Sequence, residues 1–172
     1  MMESLTSFLR SLHIPRLIIG TAGLLIGCLV YIVDRPPEQT WFLSNGVTEI
    51  SLYTVLPSLF GSIGNYLPAF THVFAFILLT AGLTSCRKRW YMVICIPWFL
   101  IDCGFELGQR YKTSICGIIP GWFAKVPVLE NTRDFFVNGT FDWLDLGSIC
   151  LGTIAAYAVL AITHKTIREE QP

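Results

Sequence analysis

Charge is what this chain has least of. Only 14% of its 172 residues are Asp, Glu, Lys or Arg, and the two signs cancel to zero; an ordinary soluble domain carries about 25% charged residues. Apolar residues make up 53% of the chain and the mean hydropathy is +0.58. So few polar side chains cannot cover the surface of a soluble domain, and a chain of this length is one domain, spanning 1–172. A net charge of zero leaves no basic surface for nucleic acid. None of the six cysteines shares C-x-x-C spacing with another, so neither a metal centre nor a cofactor is expected. Cys28, Cys95, Cys103 and Cys150 lie inside apolar runs, Cys86 in a basic turn and Cys116 in a polar loop. Buried cysteine behaves as a small hydrophobe, and all six are read as free thiols. The sequence shows no internal repeat and no low-complexity tract.

What the chain does have is four long apolar runs: 17–33, 67–83, 90–108 and 144–162. A helix rises about 1.5 Å per residue, so about 20 residues cross a hydrocarbon core of about 30 Å. Each run reaches that length with its interfacial neighbours. Asp102, Glu106 and Asp145 are the only Asp, Glu, Lys or Arg residues inside the runs. The expected fold is therefore all-α, a four-helix transmembrane bundle.

Lys and Arg placement orients the bundle. The short turn between runs two and three holds Arg87, Lys88 and Arg89. The tails add Arg10, Arg16, Lys165 and Arg168 on the same side. The opposite side has Arg35, Arg110, Lys112, Lys125 and Arg133, spread over two long loops that count for less. The basic turn and both termini are thus expected in the cytoplasm. Leu25-Ile26-Gly27-Cys28 resembles a lipoprotein cleavage box, but five apolar residues follow Cys28 before Asp34, which favours a span. Leu5, Phe8, Leu9 and Leu12 fall on one stripe, the pattern of a short amphipathic helix on the membrane surface. The first outer loop, 34–66, is partly apolar through residues such as Ile50, Leu52, Val55, Leu59 and Phe60, and interfacial or re-entrant structure is expected there.

Alternating topology then fixes depth. Run two enters from outside, placing His72 near its outer end. Run three leaves outward, placing Asp102, Glu106 and Gln109 in its outer third. Run four re-enters with Asp142 and Asp145 at its start. Spacings of three and four residues put each set on one helical stripe. Ionised groups inside a membrane are costly and face a bundle interior, a water-filled cavity or the interface. These six residues form the candidate polar cluster. Simpler roles stand beside that reading: Asp142 as a helix cap, Asp145 as a first-turn acid favoured by the helix dipole, and His72 as a satisfied interior histidine. Glu106 has the greatest need of a partner, with Arg110 and Arg133 on the same side. Gly23 with Gly27, and Ser148 with Gly152 and Ala156, are small-residue stripes suited to close helix packing.

At these residues the chain resembles the VanZ-like family of bacterial membrane proteins. His72-Val73-Phe74-Ala75-Phe76 resembles the family's His-Phe helix start. Glu106-Leu107-Gly108-Gln109 matches its Glu-x-x-Gln. Gly139-Thr140-Phe141-Asp142, followed by Asp145 and Gly152, resembles its loop into an Asp-x-x-x-x-x-x-Gly helix. Thr140 stands where the family often has Arg, and Ile149 where it often has Asn. The resemblance implies a multi-pass protein of the bacterial inner membrane, connected with the cell envelope, and does not supply a mechanism. Three functions are carried forward: binding of a membrane lipid or lipid-linked envelope molecule at the outer leaflet; a structural subunit beside other membrane proteins; and an enzyme using Glu106 with Asp142 or Asp145 as acid and base. No nucleophile motif supports the third, and no catalytic residue is assigned.

Overall fold

A computed structural model describes residues 12–37, 51–84, 87–127 and 129–169. Residues 1–11 of the surface helix expected over 1–13, Cys86, and residues 38–50 of the first loop lie outside the described residues; Leu12 and His13 are not helical. Among the described residues the chain is helical, without strands. Its elements are α1 (Ile14–Val33), α2 (Leu67–Leu83), α3 (Tyr91–Arg110), α4 (Lys112–Ile118), α5 (Thr132–Asn138) and α6 (Trp143–Glu169). Short 3-10 turns at Gly61–Asn65, Lys88–Trp90 and Gly121–Lys125 join them.

The helix α2 lies at the centre, against α1, α3 and α6. Its contact with α1 is antiparallel and close because α1 offers glycine there. Gly20 meets Ala75, Leu78 and Leu79; Gly23 meets Phe74; Gly27 meets Thr71. A Cβ at position 27 would lie 2.5 Å from the Thr71 hydroxyl oxygen, a separation no relaxed side chain tolerates. The other face of α2 receives Gly152 of α6, whose absent Cβ would lie 2.5 Å from the Phe70 carbonyl oxygen and 2.7 Å from Val73. Both small-residue stripes therefore lie at helix contacts. Ala156 is fully buried and Ser148 half-buried. Val73, Ile77, Leu78, Tyr91, Cys95, Ile149 and Leu160 complete the core between α2, α3 and α6.

The outward faces are apolar as well. Ile18 on α1, Leu100 on α3 and Ile154 on α6 are 64%, 60% and 59% exposed. A helix that is apolar all round belongs in a protein core or in a membrane, and exposure excludes the core for these residues. Three helical segments, Ile14–Val33, Lys88–Arg110 and Trp143–His164, are long and apolar enough to cross a membrane. The fourth expected span, α2, is apolar but shorter. At 17 residues it is about 25 Å long, short of the roughly 30 Å hydrocarbon core.

The helix boundaries also shift from the apolar runs. The helix α1 begins at Ile14, three residues before its run, with Pro15 in its first turn. Arg16 is consequently part of the bundle and not of a tail. It is 1% exposed. Its Nε donates to the Thr163 hydroxyl at 3.0 Å and its Nη2 to the Tyr91 hydroxyl at 2.6 Å. The guanidinium also lies 5.1 Å from the Tyr91 ring centre. These contacts satisfy a buried cation with neutral groups and tie α1 to α3 and α6 at the end bearing the basic turn. Just before α1, the His13 amide donates to the Gly82 carbonyl at 2.9 Å. Burial, with the Arg16 charge beside it, holds the His13 imidazole below its ordinary range.

At the opposite end, residues 51–66 fold back onto α1 around one carboxylate. Asp34 accepts the Leu59 and Phe60 amides, each at 2.9 Å, and the Ser58 hydroxyl at 2.8 Å. Gly61 completes the turn at φ +51°, where a side chain is strained. Arg35 donates to the Asn65 carbonyl at 2.9 Å. The second long loop is also structured: α4, the 3-10 turn and α5 pack over the end of α3, with Phe136 against Gly108 and stacked on Phe105 at 5.7 Å.

Candidate functional site

The ends of α3 and α6 meet at this structured end of the bundle. A helix leaves its first N–H groups unsatisfied, and the start of α6 meets that need with side chains. Asp142 Oδ1 accepts the Leu144 amide at 2.9 Å, the geometry of an N-cap. The Asp142 amide in turn donates to Glu106 Oε1 at 2.8 Å. Glu106 is buried, and an amide bonded to a carboxylate is stronger than a neutral pair. The Gln109 amide nitrogen approaches Glu106 Oε2 at 3.4 Å, a long and weak contact.

Gln109 also fills the space over Gly139. A Cβ at Gly139 would lie 2.6 Å from Gln109 Oε1 and 2.6 Å from the Phe135 carbonyl oxygen. Glu106 and Gln109, one turn apart on α3, thus grip the two ends of the segment Gly139–Asp142. The sequence suggested Arg110 or Arg133 as partner for Glu106; the partner is instead a backbone amide. The Arg110 guanidinium lies over the Phe141 and Trp143 rings, at 5.2 and 5.8 Å from their centres.

Asp145 stands in the first turn of α6, half-buried, within electrostatic reach of Glu106, Asp142, Arg35 and Tyr31. Its carboxylate makes no hydrogen bond among the described residues. Glu106 and Asp142 use carboxylate oxygens as acceptors at the loop, which Asp145 does not. No protein-family model, no curated protein and no solved structure matches the chain. Of the three motifs that the sequence analysis singled out, Glu106–Gln109 and Gly139–Asp142 touch each other, and His72–Phe76 makes no bond to either among the described residues.

The remaining two members of the candidate cluster stand apart. His72 is exposed on α2, its ring 4.7 Å from that of Phe76. Phe76 stacks on Trp98 at 4.7 Å, and Trp98 Nε1 donates to the Thr80 hydroxyl at 3.0 Å. Asp102 is half-buried, and its Oδ2 has no hydrogen-bond partner among the described residues. The structure therefore joins Glu106, Gln109 and Asp142 by contact, sets Asp145 within electrostatic reach of Glu106 and Asp142, and leaves His72 and Asp102 without a bond to them among the described residues. Among the described residues no group of His, Cys, Asp and Glu could hold a metal ion, and the five described cysteines are free. Sequence reading missed the Arg16 clamp, although its signal was present: Arg16 continues the stripe Gly20, Gly23, Gly27 and Val30 by one more four-residue step.

Proposed function

We propose that this chain is a VanZ-like, four-span protein of the bacterial inner membrane that binds the polar part of a lipid or lipid-linked envelope molecule at the outer leaflet. The observation that carries this reading is the Asp145 carboxylate. It is half-buried within electrostatic reach of Arg35, makes no hydrogen bond among the described residues, and stands in the first turn of α6, directly after the segment that Glu106 and Gln109 contact. Such a carboxylate within reach of a guanidinium suits a headgroup that has both hydroxyl or amine donors and acceptor oxygens.

Four spans remain the better reading despite the length of α2. That helix is enclosed by α1, α3 and α6, so protein and not lipid satisfies most of its surface. The hydrocarbon thickness then need not match its length. The basic turn Arg87–Arg89 lies at the opposite end of α3 from Glu106, and the positive-inside rule puts that turn in the cytoplasm. The site is then at the outer leaflet.

Native mass spectrometry of gently extracted protein tests the proposal. Wild type should carry a bound lipid-sized mass. Asp145→Asn should lose it while keeping its melting temperature in detergent, since that carboxylate makes no internal bond. A stable protein partner with no bound lipid would instead support the structural-subunit reading.

A further inference from the structure

The second outer loop encloses more than the polar site. Between the end of α3 and the segment α4–α5 lies an open groove of about 270 Å³, whose walls include Phe105, Ile115, Ile118, Ile119, Phe123 and Phe136. Almost all of its lining is apolar. Two of its walls are continuous with the polar site: Phe105 precedes Glu106, and Phe136 packs on Gly108 between Glu106 and Gln109.

One cation stands at the groove: Lys112 opens α4 three residues before Ile115, on one stripe. Its ammonium has three donors and uses one, to the Val137 carbonyl at 3.0 Å, beside Phe136. Arg110, two residues earlier, rests on aromatic rings and has no carboxylate partner among the described residues. An apolar groove with Lys112 at its edge and Arg110 over the rings of the adjoining polar site complements a molecule that is hydrocarbon at one end and anionic at the other.

We infer that this groove receives one hydrocarbon tail of an anionic phospholipid, with the phosphate held by Lys112 and Arg110. At about 30 Å³ for a group the size of a water molecule, the volume accepts roughly nine methylenes, so the groove grips part of one chain while the rest stays in the bilayer. This rests on the lipid-binding reading above and extends it: Asp145 and Arg35 would meet the headgroup beyond the phosphate. The occupant is a lipid and not a peptide, because one wall of the groove, Phe105, belongs to the apolar helix α3, whose neighbouring Leu100 and Ile101 are exposed apolar side chains.

The test is titration of full-length protein in detergent with dioleoyl-phosphatidylglycerol, dioleoyl-phosphatidylcholine or glycerol phosphate, read by native mass spectrometry. Wild type should prefer phosphatidylglycerol over phosphatidylcholine by about tenfold, as two interfacial cations allow after screening. Ile118→Asn should lower affinity for both lipids severalfold. Ile118 is 75% exposed, so this change spares the fold. The double variant Arg110→Gln with Lys112→Gln should erase the preference and keep phosphatidylcholine binding. Equal affinity of wild type for the two lipids overturns the inference, as does undiminished binding by Ile118→Asn. Glycerol phosphate binding as tightly as the intact lipid also overturns it, because the tail would then contribute nothing. The two readings fail separately. If Asp145→Asn keeps phosphatidylglycerol while Ile118→Asn loses it, the headgroup assignment falls and the groove stands. If Asp145→Asn loses it while Ile118→Asn does not, the groove falls.

Discussion

Two glycines on α6 should respond to alanine in opposite directions. At Gly152 a new Cβ would stand 2.5 Å from the Phe70 carbonyl oxygen, 2.7 Å from Val73 Cγ1 and 3.3 Å from the Phe70 carbonyl carbon. The nearest obstacle is backbone, which no rotamer change can move. Restoring an ordinary contact of about 3.4 Å requires α2 and α6 to separate by almost 1 Å along their tightest stretch. Overpacking of this kind costs about 1–3 kcal/mol. Alanine recovers up to about 1 kcal/mol in helix propensity over glycine, so the net effect is a loss of up to about 2 kcal/mol. At Gly147, five residues earlier on the same helix, a Cβ meets nothing within 4 Å. There propensity acts alone, and Gly147→Ala should stabilise. In a chain of this size 1 kcal/mol moves the melting temperature by about 2–4 °C. Thermal unfolding in one detergent should therefore show Gly152→Ala below wild type and Gly147→Ala at or above it. Gly152→Leu should be lower still. Equal shifts for the two alanine variants would refute the close α2–α6 contact.

Other predictions follow from single contacts. Tyr91→Phe removes the hydroxyl that Arg16 uses at 2.6 Å and leaves the guanidinium buried, so it should cost about 1.5–3 kcal/mol, seen as a fall in the same melting assay. Asp34 is held below the usual carboxylate range: partial desolvation opposes its charge, but the Leu59, Phe60 and Ser58 donors outweigh that. A lowered folded-state pKa gives stability that is present above about pH 4, the unfolded value, and is lost as pH falls through the lowered one. Melting measured against pH should decline in that acid window, and Asp34→Asn should flatten the decline. Glu106→Ala and Asp145→Ala, within electrostatic reach of each other, should couple by about 0.5–3 kcal/mol in a double-mutant cycle on ligand retention; strict additivity would show that they do not share a site.

Much of this architecture was legible because hydrophobic runs end where charge begins. The run at 67–83 coincides with α2, since Pro68 opens it and the basic turn follows. The start of α1 was misplaced by three residues because Arg16 looked like the edge of a tail. Only the fold reveals that Tyr91 and Thr163, distant in sequence, are there to satisfy it. Depth alone brought Glu106 and Asp142 to one level. Their bond runs through the Asp142 backbone, a donor every residue offers and no pattern of side chains advertises. That is why Arg110 and Arg133 looked like the natural partners. The seven-residue helices α4 and α5 span two turns each, too short for periodicity to mark them within the loop. Their apolar residues, which build the groove, were not legible as a set. His72 is exposed on α2, and Asp102, one turn before Glu106 on the same stripe of α3, makes no bond to the Glu106 loop among the described residues.

Photocrosslinking with a phospholipid that carries a diazirine in its headgroup tests the central claim most directly. After reconstitution and irradiation, the label should concentrate on peptides covering 105–112 and 139–145, and Asp145→Asn should reduce it there. Label spread evenly over α1, α3 and α6, or gathered at the basic turn 87–91, would contradict a lipid site built on Glu106, Gln109, Asp142 and Asp145.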